Sequence, residues 1–152
     1  MKQIRIKVNK IIERFLVLIL VGMVLNVIWQ VFTRFLTSSP SAFTNELARY
    51  LMIWLGILGA AYISGKQEHV AIDFFVKKLN NSLRRFIDRF VLLSILSFAF
   101  FVMIIGGINL VYITLKLEQY SPSLQIPLAL VYSIIPISGL LIIFYKVTQE
   151  KS

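Results

Sequence analysis

Seven acidic residues, one histidine and no cysteine bound the chemistry open to this sequence of 152 residues. Without cysteine there is no thiolate ligand, no thiol redox step and no disulfide. The lone histidine, His69, rules out a haem held between two histidines of this chain, and a His-rich metal site with it. Motifs of the GxxxxGK[ST], HExxH and CxxC types, which carry phosphate, zinc or redox chemistry, do not occur. No catalytic, cofactor-binding or metal-binding residue is nominated, and the reading is not that of an enzyme. The residues that remain are polar groups set in apolar surroundings. Asn26, Gln30 and Arg34 recur at i, i+4 and i+8 and so share one helix face. Polar groups in lipid need partners, so that face should meet protein, either as glue between helices or as a substrate path. Glu46 and Arg49 stand three apart, close enough to pair, and Arg34 is expected at a similar depth. A small ionic cluster of Arg34, Glu46 and Arg49 is the expectation, with assembly, anchoring or substrate contact as its possible uses.

Small residues form a second pattern. Gly56 and Ala60 make a small-xxx-small pair, with Gly59 and Ala61 beside them, and such pairs let a neighbouring helix approach closely. Gly106 and Gly107 offer the same in a later segment. Pro136 lacks the backbone donor a helix needs and should kink the segment that contains it. His69 sits among charged residues, where a solvated or structural histidine is the simplest reading.

These residues must be positioned by elements that suit a lipid solvent. Hydrophobic residues make up 58% of the chain, and the mean hydropathy is +0.81. A water-soluble domain of this size cannot bury so much apolar surface. Four stretches without charge, residues 15–33, 50–65, 90–115 and 119–145, are separated by charged segments. About 20 residues of helix cross a hydrocarbon core of about 30 Å. The expectation is an all-α integral membrane protein, a single membrane domain over 1–152 with helices about 15–36, 47–65, 90–115 and 124–145. The second is short unless Arg49 lies at a polar boundary. The basic start (Lys2, Arg5, Lys7, Lys10 and Arg14) followed by a long apolar run reads as a retained signal anchor.

Thirteen of the sixteen Lys and Arg residues fall on one side of this scheme and three, Arg34, Arg49 and Lys116, on the other. The positive-inside rule then places both termini in the cytoplasm. The net charge of +9 is distributed as membrane-flanking residues rather than as one basic face, so nucleic acid is not an expected partner. In the loop between helices 2 and 3, Phe75, Leu79, Leu83, Phe86, Ile87 and Phe90 keep a helical apolar period. Lys77, Lys78, Arg84, Arg85 and Arg89 fall largely between them. This reads as an amphipathic interfacial helix over about 75–89, resting on the lipid bilayer. The competing reading is a simple extension of helix 3.

Three strings carry a family resemblance. Asn45-Glu46-Leu47-Ala48-Arg49-Tyr50-Leu51, with Trp54, Gly59-Ala60-Ala61 and Glu68-His69-Val70, resembles the second-helix region of the small membrane subunit of tripartite ATP-independent periplasmic (TRAP) transporters. Ser121-Pro122-Ser123-Leu124-Gln125-Ile126-Pro127, with Tyr132 and Ile135-Pro136, is similar to the entry of that family's last helix. Trp29-Gln30-Val31-Phe32-Thr33-Arg34-Phe35 fits the end of its first. The resemblance implies a bacterial inner-membrane complex with a large membrane subunit, as a heterodimer, and a periplasmic substrate-binding protein. In such complexes the large subunit holds the substrate and the coupling sodium and moves as an elevator, while the small one braces it. The cargo is an organic acid such as a C4-dicarboxylate, a sialic acid or a sugar acid, and no cofactor is bound by the small chain. Carried over, Glu46, Arg49, Trp54 and Gly59 become interface or structural positions, with His69 beside them. Loops over 37–45 and 118–123 would face the periplasm.

Two other classes stay open. One is a stand-alone dimeric proton-coupled exporter, which would need a membrane-embedded acid; residues 15–33 contain none, leaving Glu46. The other is an accessory subunit of a different membrane complex.

Overall fold

The computed structural model describes residues 2–37, 42–66 and 81–150. Helix α1 runs over Lys2–Thr37 and α2 over Ala42–Gly65. Helix α3, Asn81–Ser97, passes into a π-helical stretch, Phe98–Gly106, and then into α4, Gly107–Lys116. Helices α5, Leu128–Tyr132, and α6, Ile134–Glu150, complete the described chain. Four of these runs are long and apolar enough to cross a membrane: Gln3–Leu36, Ala42–Gly65, Leu83–Lys116 and Leu128–Thr148. Among the described residues, an isolated bridge between Tyr120 and Pro127 is the extent of β pairing.

Helix α1 begins well before the expected position 15, because the basic segment from Lys2 to Arg14 contains neither glycine nor proline to break it. Its buried residues, Ile12, Ile19 and Asn26, are seven apart, with half-buried Leu16 and Met23 between them and Gln30 following. A contact stripe that repeats every 3.5 residues is the signature of left-handed helix packing. This stripe meets α2. The second span in turn packs on the fourth, and the fourth on the third. The spatial order is therefore first, second, fourth, third. One cluster, Ile12, Leu58, Ile134 and Tyr145, ties the first, second and fourth spans together. Another, Ala61, Ala99 and Ile142, ties the second, third and fourth.

The third and fourth spans touch through small residues. A Cβ at Gly107 would stand 2.9 Å from Pro136 Cδ, and one at Gly139 would stand 2.9 Å from Met103 Cβ. On the third span Ile95, Ala99, Met103 and Gly107 face this seam, every fourth residue. Such a stripe winds away on an α-helix, which turns once per about 3.6 residues. The wider π turn, bonded i to i+5, brings it back into line. The turn at Ser133 divides α5 from α6, and Pro136, in the first turn of α6, lacks the N–H that would bond back across it, so the expected interruption of the last helix falls just before the proline.

The separate interfacial helix expected over about 75–89 takes a different form in its described part. From Asn81 the helix continues through Phe90 into the third span, because residues 81–97 contain neither glycine nor proline to break it. Leu83, Phe86 and Phe90 are exposed on these turns, as are Arg84, Arg85 and Arg89. Arg84 and Asp88 approach to 4.0 Å as an i,i+4 pair, which contributes only a few tenths of a kcal/mol in water. Phe75, Leu79, Lys77, Lys78 and His69 lie outside the described residues.

Candidate functional site

The polar residues of the chain gather at the two ends of the bundle. At the end that carries both termini, Tyr145 donates a 2.7 Å hydrogen bond to Asn9 Oδ1, and Arg5 donates to the Gly65 carbonyl. Gly65 has no room for a side chain, since a Cβ there would lie 2.8 Å from the Tyr145 ring. These contacts fasten α1, α2 and α6 at one level.

The opposite end is organised by the connector between the third and fourth spans. The third span closes with Gln119 N–H donating to the Thr114 carbonyl at 3.1 Å and Glu118 N–H to that of Leu115 at 3.0 Å. This is a Schellman cap, whose C′ position takes a left-handed backbone and favours glycine. Glu118 occupies it with φ 48°. Left-handed backbone costs a non-glycine residue roughly 1–2 kcal/mol. Glu118→Gly is therefore expected to stabilise the folded chain by about 1 kcal/mol, less glycine's added entropy when unfolded. Thermal unfolding in detergent reads this directly; a lower midpoint would mean that the Glu118 side chain contributes more than its backbone costs.

Beyond the cap, Ser121 N–H donates to the Ile126 carbonyl at 2.9 Å and Gln125 N–H to that of Ser121 at 3.0 Å, closing a single turn. Into this turn projects Glu46 from α2. Its carboxylate accepts from the Ser121 hydroxyl, from Ser123 N–H at 3.0 Å and from Leu124 N–H at 3.1 Å. Successive backbone N–H groups aimed at one point form a nest for an anion. Here the anion is supplied by the chain itself, from about one helix turn inside α2.

The expected cluster of Arg34, Glu46 and Arg49 takes a different form in the structure, with the Arg49 charge acting on the Glu46 carboxylate only from a distance. Glu46 is drawn to the connector, and neither arginine reaches it within ion-pair distance among the described residues. Both arginine side chains are exposed. Carboxylate oxygens are better satisfied by three converging donors than by a flexible side chain in solvent. Asn26 is buried and donates at 2.7 Å to the Thr44 carbonyl in the opening turn of α2, so it joins two helices. Gln30 is half-buried on the same face. Trp54 Nε1–H donates at 3.0 Å to the Val131 carbonyl, in the last turn before the α5–α6 break. Proline and the break leave carbonyls there short of helical donors, and the indole supplies one.

Gly56 and Gly59 behave unlike the other packed glycines. No atom lies within 4 Å of a Cβ built at either, and Ala60 is exposed. The small face of the second span therefore points away from this chain's own helices. Sequence reading missed Thr44, Gly65 and Gly139 as packing positions, and Ser121 as a ligand of Glu46. Of these, only the Ser121-Pro122-Ser123 turn composition carried a local signal. Among the described residues no group of three or more His, Cys, Asp or Glu is placed to hold a metal ion.

Comparison with known proteins gives this arrangement its context. Residues 23–149 match the family described as Tripartite ATP-independent periplasmic transporters, DctQ component. A Haemophilus influenzae protein named as a TRAP transporter small permease is 29% identical over 145 residues, 93% of this chain and 86% of its own. The C4-dicarboxylate TRAP transporter small permease protein DctQ of Rhodobacter capsulatus is 36% identical over 66% of this chain and 44% of its own. The sialic acid TRAP transporter permease protein SiaT of Haemophilus influenzae is 36% identical over 43% of this chain, a stretch that is 11% of the longer protein. A bundle of four membrane-spanning helices, matched over residues 23–149, belongs to the DctQ-component family of TRAP transporters, the small membrane subunits of a transport system.

Proposed function

We propose that this chain is the fixed brace of a sodium-coupled importer in the bacterial inner membrane. It holds the scaffold of a large permease subunit and helps seat a periplasmic binding protein. The observation that carries the reading is the empty small face of Gly56, Gly59 and Ala60. Small residues facing lipid gain nothing, whereas against another helix they permit close backbone approach. The match to a short stretch of the longer SiaT permease supports a large permease as that partner, since there a segment like this one shares a chain with it. Sodium as the coupling ion would be bound in the partner subunit.

The cargo is an organic acid. The relatives named for C4-dicarboxylates and for sialic acid share carboxylate substrates and support that class. The distribution of Lys and Arg supports a cytoplasmic position for both termini. The turns over 81–89, with Leu83, Phe86 and Phe90 exposed beside Arg84, Arg85 and Arg89, then sit at the cytoplasmic membrane interface and resist displacement of the brace. The turn held by Glu46 faces the periplasm, where the binding protein docks.

Two measurements test this. Labelled organic acids should enter proteoliposomes under a sodium gradient only when this chain, its large partner and the binding protein are all present. Transport by this chain alone would overturn the reading. Leucine at both Gly56 and Gly59 should leave the isolated chain at least as stable, because nothing stands within 4 Å and glycine costs a helix up to about 1 kcal/mol. The same double variant should lose co-purification with the large subunit. Full retention of the complex would move the seam to another face.

A further inference from the structure

The first span carries two adjoining recesses on its surface. An apolar groove of about 400 Å³ lies between α1, α2 and the start of the fourth span. Phe15, Leu18, Ile19, Leu51, Trp54 and Leu130 line it, and the Phe15 and Trp54 rings meet at 6.1 Å. The second recess, of about 570 Å³, is lined among the described residues by Lys10, Glu13, Arg14, Val17 and Leu18. Leu18 belongs to both. An amphiphile with an anionic head and a long apolar tail matches this sequence of surfaces.

We propose that the two recesses form one site for an anionic phospholipid, its headgroup phosphate held by Lys10 and Arg14 and one acyl chain laid along the Phe15–Trp54 groove. Three observations favour this occupant over a helix of another subunit. The basic pair stands at the boundary where residues 15–33 turn uncharged, which is the depth of a headgroup rather than of a helix core. Two cations converge there with one carboxylate, and Glu13 already accepts a 3.4 Å hydrogen bond from Tyr62. The groove's rim is set by large side chains, Phe15, Leu18 and Trp54, whereas the small residues that admit a helix backbone lie elsewhere on α2. Basic pockets at one membrane face that open onto apolar surface are the known pattern for anionic headgroups.

Trp54 reports on the groove from within, and Trp29 is the sole other tryptophan. In the full chain with Trp29→Phe, Trp54 fluorescence is measured in vesicles containing brominated phosphatidylglycerol or brominated phosphatidylcholine. The expected result is quenching at a mole fraction of the anionic lipid at least about fivefold lower than of the zwitterionic one. Lys10→Gln with Arg14→Gln should abolish that preference with helix content unchanged. Leu18→Trp, read through energy-independent lipid co-purification by native mass spectrometry, should expel the lipid while leaving the surface charge intact. Equal quenching by the two lipids would overturn the proposal, as would a preference that survives the double variant. Loss of Trp54 quenching on co-reconstitution with the large permease subunit would assign the groove to a partner helix and equally overturn it. Retained quenching in that complex would support it.

Discussion

Replacing Glu46 with alanine is expected to loosen the turn over 121–125 while leaving the four spans packed. The carboxylate is the common acceptor of the Ser121 hydroxyl and the Ser123 and Leu124 amides. Ser121 is fully buried, so its hydroxyl cannot turn to water once the acceptor is gone. Donors left without a partner in a buried setting are costly, and the turn should relieve that cost by opening. Hydrogen exchange at the Ser123 and Leu124 amides should then accelerate by on the order of tenfold, with amides in the middle of α2 and α6 unchanged. Glu46→Gln keeps one acceptor oxygen without the charge and should fall between wild type and alanine. Arg49→Gln separates this arrangement from an ionic cluster, since it removes no donor from the carboxylate and should leave the two amides as protected as before. Equal acceleration in the Glu46 and Arg49 variants would sink the clamp. On the proposed reading, in which this turn seats the binding protein, the same Glu46→Ala change should reduce binding-protein-dependent uptake several-fold while the membrane subunits still co-purify.

The spans were legible because a lipid solvent imposes a one-dimensional rule, long uncharged runs with cationic flanks, that needs no knowledge of neighbours. Residues 15–33 and 90–115 announce themselves in this way. Helix ends were less legible for the same reason. Hydropathy marks where a helix leaves the apolar layer, not where its hydrogen bonding stops, and α1 continues as a helix back to Lys2. The side-chain roles divided along sequence distance. Asn26 was readable as a polar group needing a protein partner, though not that the partner is the Thr44 carbonyl. Glu46 had Arg49 three residues away as its visible neighbour, while its actual donors lie 75 to 78 residues along the chain. Trp54 and Val131 are 77 residues apart. Among the glycines, sequence spacing selected Gly107, which is enclosed, and Gly56 and Gly59, whose surroundings within the chain are open, and passed over Gly139, which is enclosed by side-chain and backbone atoms together.

That enclosure gives Gly139→Ala a large expected effect on the isolated chain. In an unobstructed helix, alanine is more favourable than glycine by about 0.8–1 kcal/mol. At Gly22, where no atom lies within 4 Å of the added carbon, this gain should appear in full. At Gly139 the same carbon would meet Met103 Cβ at 2.9 Å, Ile104 Cγ1 at 3.0 Å and the Ala99 carbonyl oxygen at 3.1 Å. The first and last of these are fixed to the π-helical backbone, so no rotamer change removes the collision. The third and fourth spans must separate, and overpacking of this kind costs about 1–3 kcal/mol. Separation also weakens the contact of Gly107 with Pro136 further along the same seam, which couples the two sites. The sign of the effect thus reverses between two glycine-to-alanine changes in one protein. Reversible unfolding of both variants in the same detergent measures it, with Gly22→Ala expected above wild type and Gly139→Ala below. Stabilisation by both would mean that the third span shifts freely against the fourth, and the π-helical stretch would then be an adaptable joint rather than part of a close-packed seam.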